Sequence, residues 1–151
     1  MTTSFRRLSL LSVTSTLILS RALSACSNTT AHSFPMAPIG NMPANVQSAA
    51  LEVQQAYQFA SANPGVTTHI PCYCGCKSIG HQSNYFCYVS SVDVDGVITY
   101  DPHALGCSIC VDITQDTMQM LQGGKSVPEI KAYIDQEYAK YDPPISPQDN
   151  E

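Results

Sequence analysis

Six cysteines between residues 72 and 110 constrain this chain more than any other feature of its 151 residues. Cys72, Cys74 and Cys76 alternate with Tyr73 and Gly75, Cys87 follows after ten residues, and Cys107 and Cys110 form a C-x-x-C after nineteen more. The stretch "HIPCYCGCKSIGH" sets a histidine at each end of the first three. A fold that accepts this spacing must staple the thiols, load them with metal or keep them as a reactive set.

Disulfides are one reading. Six is an even number, small exported domains gain from staples, and six cysteines allow 15 pairings that sequence cannot choose between. The short ring between neighbouring members of Cys72, Cys74 and Cys76 strains disulfide geometry. Three partners are therefore expected among Cys87, Cys107 and Cys110.

Metal binding uses the same spacing. Thiolates are soft ligands suited to Cu(I) and Zn(II). Cysteines two apart in an extended segment point to one side, and Gly75 lets the backbone bend so that their sulfurs converge on one ion or bridge two. Cys107 and Cys110, at i and i+3, are expected on one helix face as half of a site. His69, His81 and His103 each lie within five residues of a cysteine and are possible further ligands. Six thiolates and three imidazoles exceed the four ligands of one zinc, which favours several Cu(I) ions, or two zincs. Outside the cytoplasm such thiols need bound metal or a reducing partner to stay reduced.

Thiol–disulfide exchange at Cys107 and Cys110 is the third reading, since a C-x-x-C at a helix N-terminus has a depressed thiol pKa. Here the strand that precedes such a pair in thioredoxin is missing, and Asp101 and Asp112 are expected to work against a reactive thiolate.

The compartment follows from the first residues. Arg6 and Arg7 precede a short apolar run, Leu8 to Leu19, too short and polar to span a membrane; it reads as a secretory signal over residues 1–25. Leu23-Ser24-Ala25-Cys26 resembles the lipobox of bacterial lipoproteins, in which cleavage before the cysteine is followed by its acylation. Cys26 is thus expected to carry lipid, and several acyl chains would give the stable anchoring that one cannot. Residues 26–43, rich in Ser, Thr and Pro, read as a tether. The expected location is the extracytoplasmic face of a bacterial cell membrane.

Removing residues 1–25 takes away three of the 7 Lys and Arg and none of the 12 Asp and Glu, moving the net charge from −5 to −8. Nucleic acid, whose binding is dominated by basic contacts to phosphate, is excluded as a partner. The expected partners are the membrane and a metal donor, metal acceptor or thiol reductase.

Residues 44–142 read as one small, mainly α domain of about three helices, with a cysteine-bearing irregular excursion and a very short β-hairpin. Residues 44–62 carry Val46, Ala49, Ala50, Val53, Ala56, Tyr57 and Ala60 at helical steps and end at Asn63-Pro64-Gly65. A second helix is expected over residues 104–122, closed by Gly123-Gly124. Ser126 and Glu129 form a capping box for a third, which points Ile130, Tyr133, Ile134 and Tyr138 inward. Asp95-Gly96 reads as the hairpin turn; the Asp93–Pro102 stretch lacks the glutamate and helices of an EF-hand. Residues 143–151 read as an extended tail.

The segments "PCYCGC", "GHQSNYFCYV", "YDPHALGCSICVDI" and "GGKSVPEIKAYIDQEYAKYDPP" resemble the bacterial PCYCGC-motif lipoproteins over about residues 66–144. That resemblance implies an exported, lipid-anchored, metal-binding protein with no enzymatic activity. Residues 104–140 are also similar, more distantly, to the haem-handling thiol proteins of cytochrome c maturation. Those have a three-helix fold and "CPVC" where this chain has Ser108-Ile109 between its cysteines. Together these readings give the expectation of a copper- or zinc-binding protein for capture, storage or delivery. The alternatives are a thiol-exchange protein and a disulfide-stapled interaction domain.

Overall fold

The structure, a computed structural model, describes residues 32–144. The signal, Cys26 and the last residues of the tail lie outside them. Helix α1 (Ala44–Gln47) is followed by α2 (Leu51–Ala62), the single turn α3 (Pro64–Thr67), α4 (Ser108–Gln122) and α5 (Val127–Tyr138). Between α3 and α4 run two 3-10 turns, Cys76–Ile79 and Asn84–Cys87, the hairpin of β1 (Val89–Val92) and β2 (Ile98–Tyr100), and a third 3-10 turn, His103–Leu105.

The mainly helical architecture agrees with the sequence. Helix α4 packs against both α2 and α5. The core takes Ala56, Tyr57, Phe59 and Ala60 from α2, Cys110, Ile113, Thr114 and Thr117 from α4, and Ile130, Ile134 and Tyr138 from α5. Burying each of the larger apolar side chains, such as Phe59, Ile113, Ile130 and Ile134, contributes about 1.5–3 kcal/mol. Gly124, at φ 79°, ends α4 in the left-handed region that glycine adopts freely. The capping box opens α5, with Glu129 Oε2 accepting from the Ser126 backbone N–H at 2.8 Å.

β1 and β2 pair antiparallel, with Val92 opposite Ile98. The connection is an Asx turn in which Asp93 Oδ1 accepts from the N–H groups of Asp95 and Val97 at 2.9 and 2.8 Å. Asp93 is thereby a turn residue.

Four expectations are corrected. The helix over 44–62 is broken, because Ala50 is extended (ψ 152°) and the Gln54 side chain caps the freed Ala49 and Gln47 carbonyls at 2.8 and 3.1 Å. The helix over 104–122 starts only at Ser108, which leaves Cys107 as an extended N-cap residue at φ −120°, ψ 97°. Tyr133, expected inward, is 40 % exposed. Its helix buries only the stripe of Ile130, Ile134 and Tyr138.

The fourth concerns the tether. Residues 34–42 lie against α2: Phe34 packs edge-on to Phe59 at 4.8 Å, and Met42 is buried. Ala37 exchanges hydrogen bonds with Gln58, and Asn63 donates to the Pro35 carbonyl at 2.8 Å. Extended, proline-rich backbone has unpaired carbonyls, and the amide side chains of Gln58 and Asn63 satisfy them.

Candidate metal centre

The cysteine excursion folds over the N-terminal end of α4, and all six sulfurs come together there. Cys72, Cys87 and Cys110 form a triangle with sides of 3.5 Å (Cys72–Cys87), 3.2 Å (Cys87–Cys110) and 3.6 Å (Cys72–Cys110). All three side chains are buried. Cys74 Sγ lies 3.1 Å from Cys72 Sγ, and Cys107 Sγ lies 3.2 Å from Cys110 Sγ. On the other flank, His103 Nε2 is 2.7 Å from Cys76 Sγ and 3.7 Å from Cys74 Sγ.

Two overlapping groups could hold a metal ion. Cys72, Cys74, Cys87 and Cys110 make one, and Cys74, Cys76, His103 and Cys110 make the other; within each group every ligand atom lies within 4.8 Å of the rest. Metal–sulfur bonds of about 2.3 Å in tetrahedral array place sulfurs about 3.8 Å apart. The triangle needs to widen by only a few tenths of an ångström to meet that.

Cys74 and Cys76 are joined as a disulfide, although the short ring between them is expected to strain such a bond. The physical reason is Gly75. At φ 74° it folds the chain so that the two Cα atoms sit 5.5 Å apart, inside the usual range for a bridge. Reduction, by two electrons and two protons, makes both sulfurs available as ligands.

Each ligand is held by its own local device. The Cys110 carbonyl, near the start of α4, accepts from Tyr88 Oη at 2.8 Å and Asn84 Nδ2 at 3.1 Å; Thr114 Oγ1 donates to Asn84 Oδ1 at 2.7 Å. This buried network ties the turn carrying Cys87 to the helix carrying Cys110. Tyr73 Oη donates to Asp135 Oδ1 at 2.6 Å and so pins the Cys72–Cys74 segment to α5. Asp101 Oδ1 accepts from the His103 backbone N–H at 2.8 Å, while the Asp101 carbonyl accepts from Tyr57 Oη at 2.7 Å. That pair of bonds fixes the loop that presents His103.

The buried sulfurs cannot all carry charge at once. Cys72 is pushed well below an ordinary thiol, chiefly by the hydrogen bond from Cys110 and then that from Cys87, against burial. Cys110 is pushed far up by its contacts with Cys107, Cys72 and Cys87, and by burial. Cys87 is pulled down by Cys110, but Cys72, burial and the neighbouring charges carry it up on balance. The first thiolate is stabilised by its neighbours' S–H groups; each further one meets like charge in a buried space. A soft cation held there would remove that penalty and displace the remaining protons.

Cys107 is the outlying member, half-buried rather than buried. Its thiol is held down to about 6 by the hydrogen bond from Cys110, helped by the Cys110 backbone N–H and by His103 and opposed by burial. The expected opposition from Asp101 and Asp112 does not decide the matter, because the groups touching Cys107 lower it.

The structure therefore assembles Cys72, Cys74, Cys76, Cys87, Cys107, Cys110 and His103. It does not bring in His69, which is exposed. His81 is buried behind His103, with ring centroids 5.1 Å apart, and its Nε2 is 3.5 Å from Asp101 Oδ2. Its Nδ1 has no protein partner. Asn84, Thr114 and Asp135 do not stand out in the sequence, because a polar residue that orients a ligand has no spacing signature. Tyr73 and Tyr88 did have one signal, their place beside cysteines, and both are buried against the cluster.

A family model described as "protein of unknown function with PCYCGC motif" matches residues 15–148. No curated protein and no solved structure matches the chain. No described helix is long and apolar enough to cross a membrane.

Proposed function

The chain belongs to the PCYCGC-motif family, and we propose that it binds a soft transition-metal ion, Cu(I) in preference to Zn(II), for capture, storage or delivery outside the cytoplasm. The observation that carries this reading is the triangle of three buried thiols, Cys72, Cys87 and Cys110, with further sulfurs within 3.2 Å of two of its corners. A donor set rich in thiolate and poor in oxygen selects soft ions such as Cu(I). Cys72, Cys74, Cys76, Cys87, Cys107 and Cys110 are the ligand set, with His103 beside them. Binding is the whole of this activity; no catalysed reaction is part of it.

The lipobox-like segment ending in Cys26 supports anchoring of the acidic domain at a membrane surface, where a metal donor or acceptor could meet it. Mass spectrometry of the mature N-terminus tests this. Acylated Cys26 is the expected result, and an unmodified N-terminus elsewhere would remove the anchor.

The test of the metal reading is elemental analysis of the chain purified anaerobically, without chelator, alongside a free-thiol count. At least one equivalent of copper or zinc, with thiols masked until the metal is stripped, is expected. No metal and no free thiols would leave a disulfide-stapled domain.

One observation favours a second reading. Cys107 combines partial exposure, a thiol held down to about 6 and a sulfur 3.2 Å from Cys110. That is the arrangement of an attacking thiol and its resolving partner. Under that reading Cys110→Ser traps a mixed disulfide between Cys107 and a client thiol. Under the metal reading the same variant loses metal and traps nothing.

A further inference from the structure

The two ligand groups overlap without coinciding. They share two sulfurs, those of Cys74 and Cys110, and differ in the rest: Cys72 and Cys87 on one side, Cys76 and His103 on the other. A sulfur that belongs to two groups is placed to bridge, since a thiolate has lone pairs enough to bind two ions at once. Four ligands per ion from six residues follow only if two are shared.

We infer that the reduced site takes two soft cations together, with Cys74 and Cys110 as bridging thiolates, Cys72 and Cys87 completing one ion, and Cys76 and His103 the other. The inference rests on the metal reading above and adds a stoichiometry and a role for each ligand. Cys107, in neither group, stands at the rim with its sulfur 3.2 Å from that of Cys110.

The Cys74–Cys76 bond sets the capacity. While it is closed, the second ion has only His103 and one shared thiolate, whereas the first keeps the Cys72–Cys87–Cys110 triangle. Opening it takes two electrons and two protons from a dithiol, which itself becomes a disulfide, and frees one bridge and one terminal ligand. The capacity is therefore one ion with the bond closed and two with it open.

The experiment is anaerobic titration of the full chain with Cu(I), before and after reduction and removal of the reductant, read by native mass spectrometry and X-ray absorption. The reduced monomer is expected to carry two copper ions with a short metal–metal scattering path, and the unreduced monomer one. The paired variant Cys76→Ser with His103→Ala is expected to hold one ion; it keeps all three sulfurs of the buried triangle, and circular dichroism checks its folding. One ion in the reduced wild-type chain, two without a metal–metal path, or copper shared only across a dimer would overturn the bridged pair while leaving the metal reading intact. No bound copper in any form would overturn both.

Discussion

His103 Nε2 stands 2.7 Å from Cys76 Sγ, although 27 positions separate the two residues. The imidazole is brought there by Asp101, which accepts the His103 backbone N–H and is itself held by Tyr57. His103→Ala is expected to lower Cu(I) affinity by at least about tenfold, the scale on which even supporting groups of a metal site act. Competition against a chromophoric Cu(I) chelator measures it. Asp101→Ala is expected to move affinity in the same direction with all ligands still present. Unchanged affinity in both variants would remove His103 from the centre.

Gly75 permits the turn that brings Cys74 and Cys76 together. A side chain there has to adopt φ 74°, and its Cβ would lie 2.9 Å from Asp142 Oδ2. Asp142 is exposed and can turn away, so the conformational cost dominates, at about 1–2 kcal/mol. Gly75→Ala is expected to lower the midpoint of chemical denaturation accordingly, and to leave Cys74 and Cys76 open to alkylation in the unreduced protein. Adding Asp142→Ala is expected to restore little. Full restoration would mean that crowding rather than φ is what glycine avoids.

Those two relationships show where sequence reading reached and where it stopped. The three long helices were legible because Ile130, Ile134 and Tyr138, or Ile113, Thr114 and Thr117, repeat at helical steps, and because Ser126–Glu129 and Gly123–Gly124 punctuate them. The six-cysteine set was legible from spacing alone. His103 could not be separated from His69 and His81, since all three lie near cysteines in sequence and only the fold turns one of them onto the sulfurs. The break at Ala50 and the docking of Phe34 and Met42 on α2 depend on side-chain hydrogen bonds from Gln54, Gln58 and Asn63. No period marks such bonds.

The capping box gives α5 a sensitivity to acid. Glu129 is held at about 2, below its ordinary carboxylate value of 4.5, first by the Ser126 backbone N–H, then by the Ser126 hydroxyl and Lys125. A carboxylate whose folded pKa is depressed stabilises the fold above its unfolded pKa, and that contribution is lost as pH falls from about 4.5 towards 2. Thermal melts should show wild type more stable than Glu129→Gln at pH 7, with the two converging as pH falls towards 2. Parallel curves across the whole range would show that the capping charge is not responsible.

Stability and metal affinity can be separated at the Cys110 carbonyl. Tyr88 Oη sits 2.8 Å from that oxygen and 2.6 Å from the Thr114 hydroxyl, fully buried. Tyr88→Phe keeps the ring and removes both of these buried hydrogen bonds, a loss of about 1–3 kcal/mol. Because no ligand is deleted, melting temperature is expected to fall by a similar amount with and without copper. His103→Ala acts oppositely. The imidazole side chain is not part of the apolar core, so the metal-free melt should scarcely move, whereas the rise on adding copper, which follows from binding to the folded state alone, should shrink with the affinity. Scanning calorimetry of the two variants with and without Cu(I) gives the four temperatures. A copper-induced rise that survives His103→Ala but disappears in Tyr88→Phe would mean that the network around Cys110, rather than the imidazole, sets the strength of metal binding.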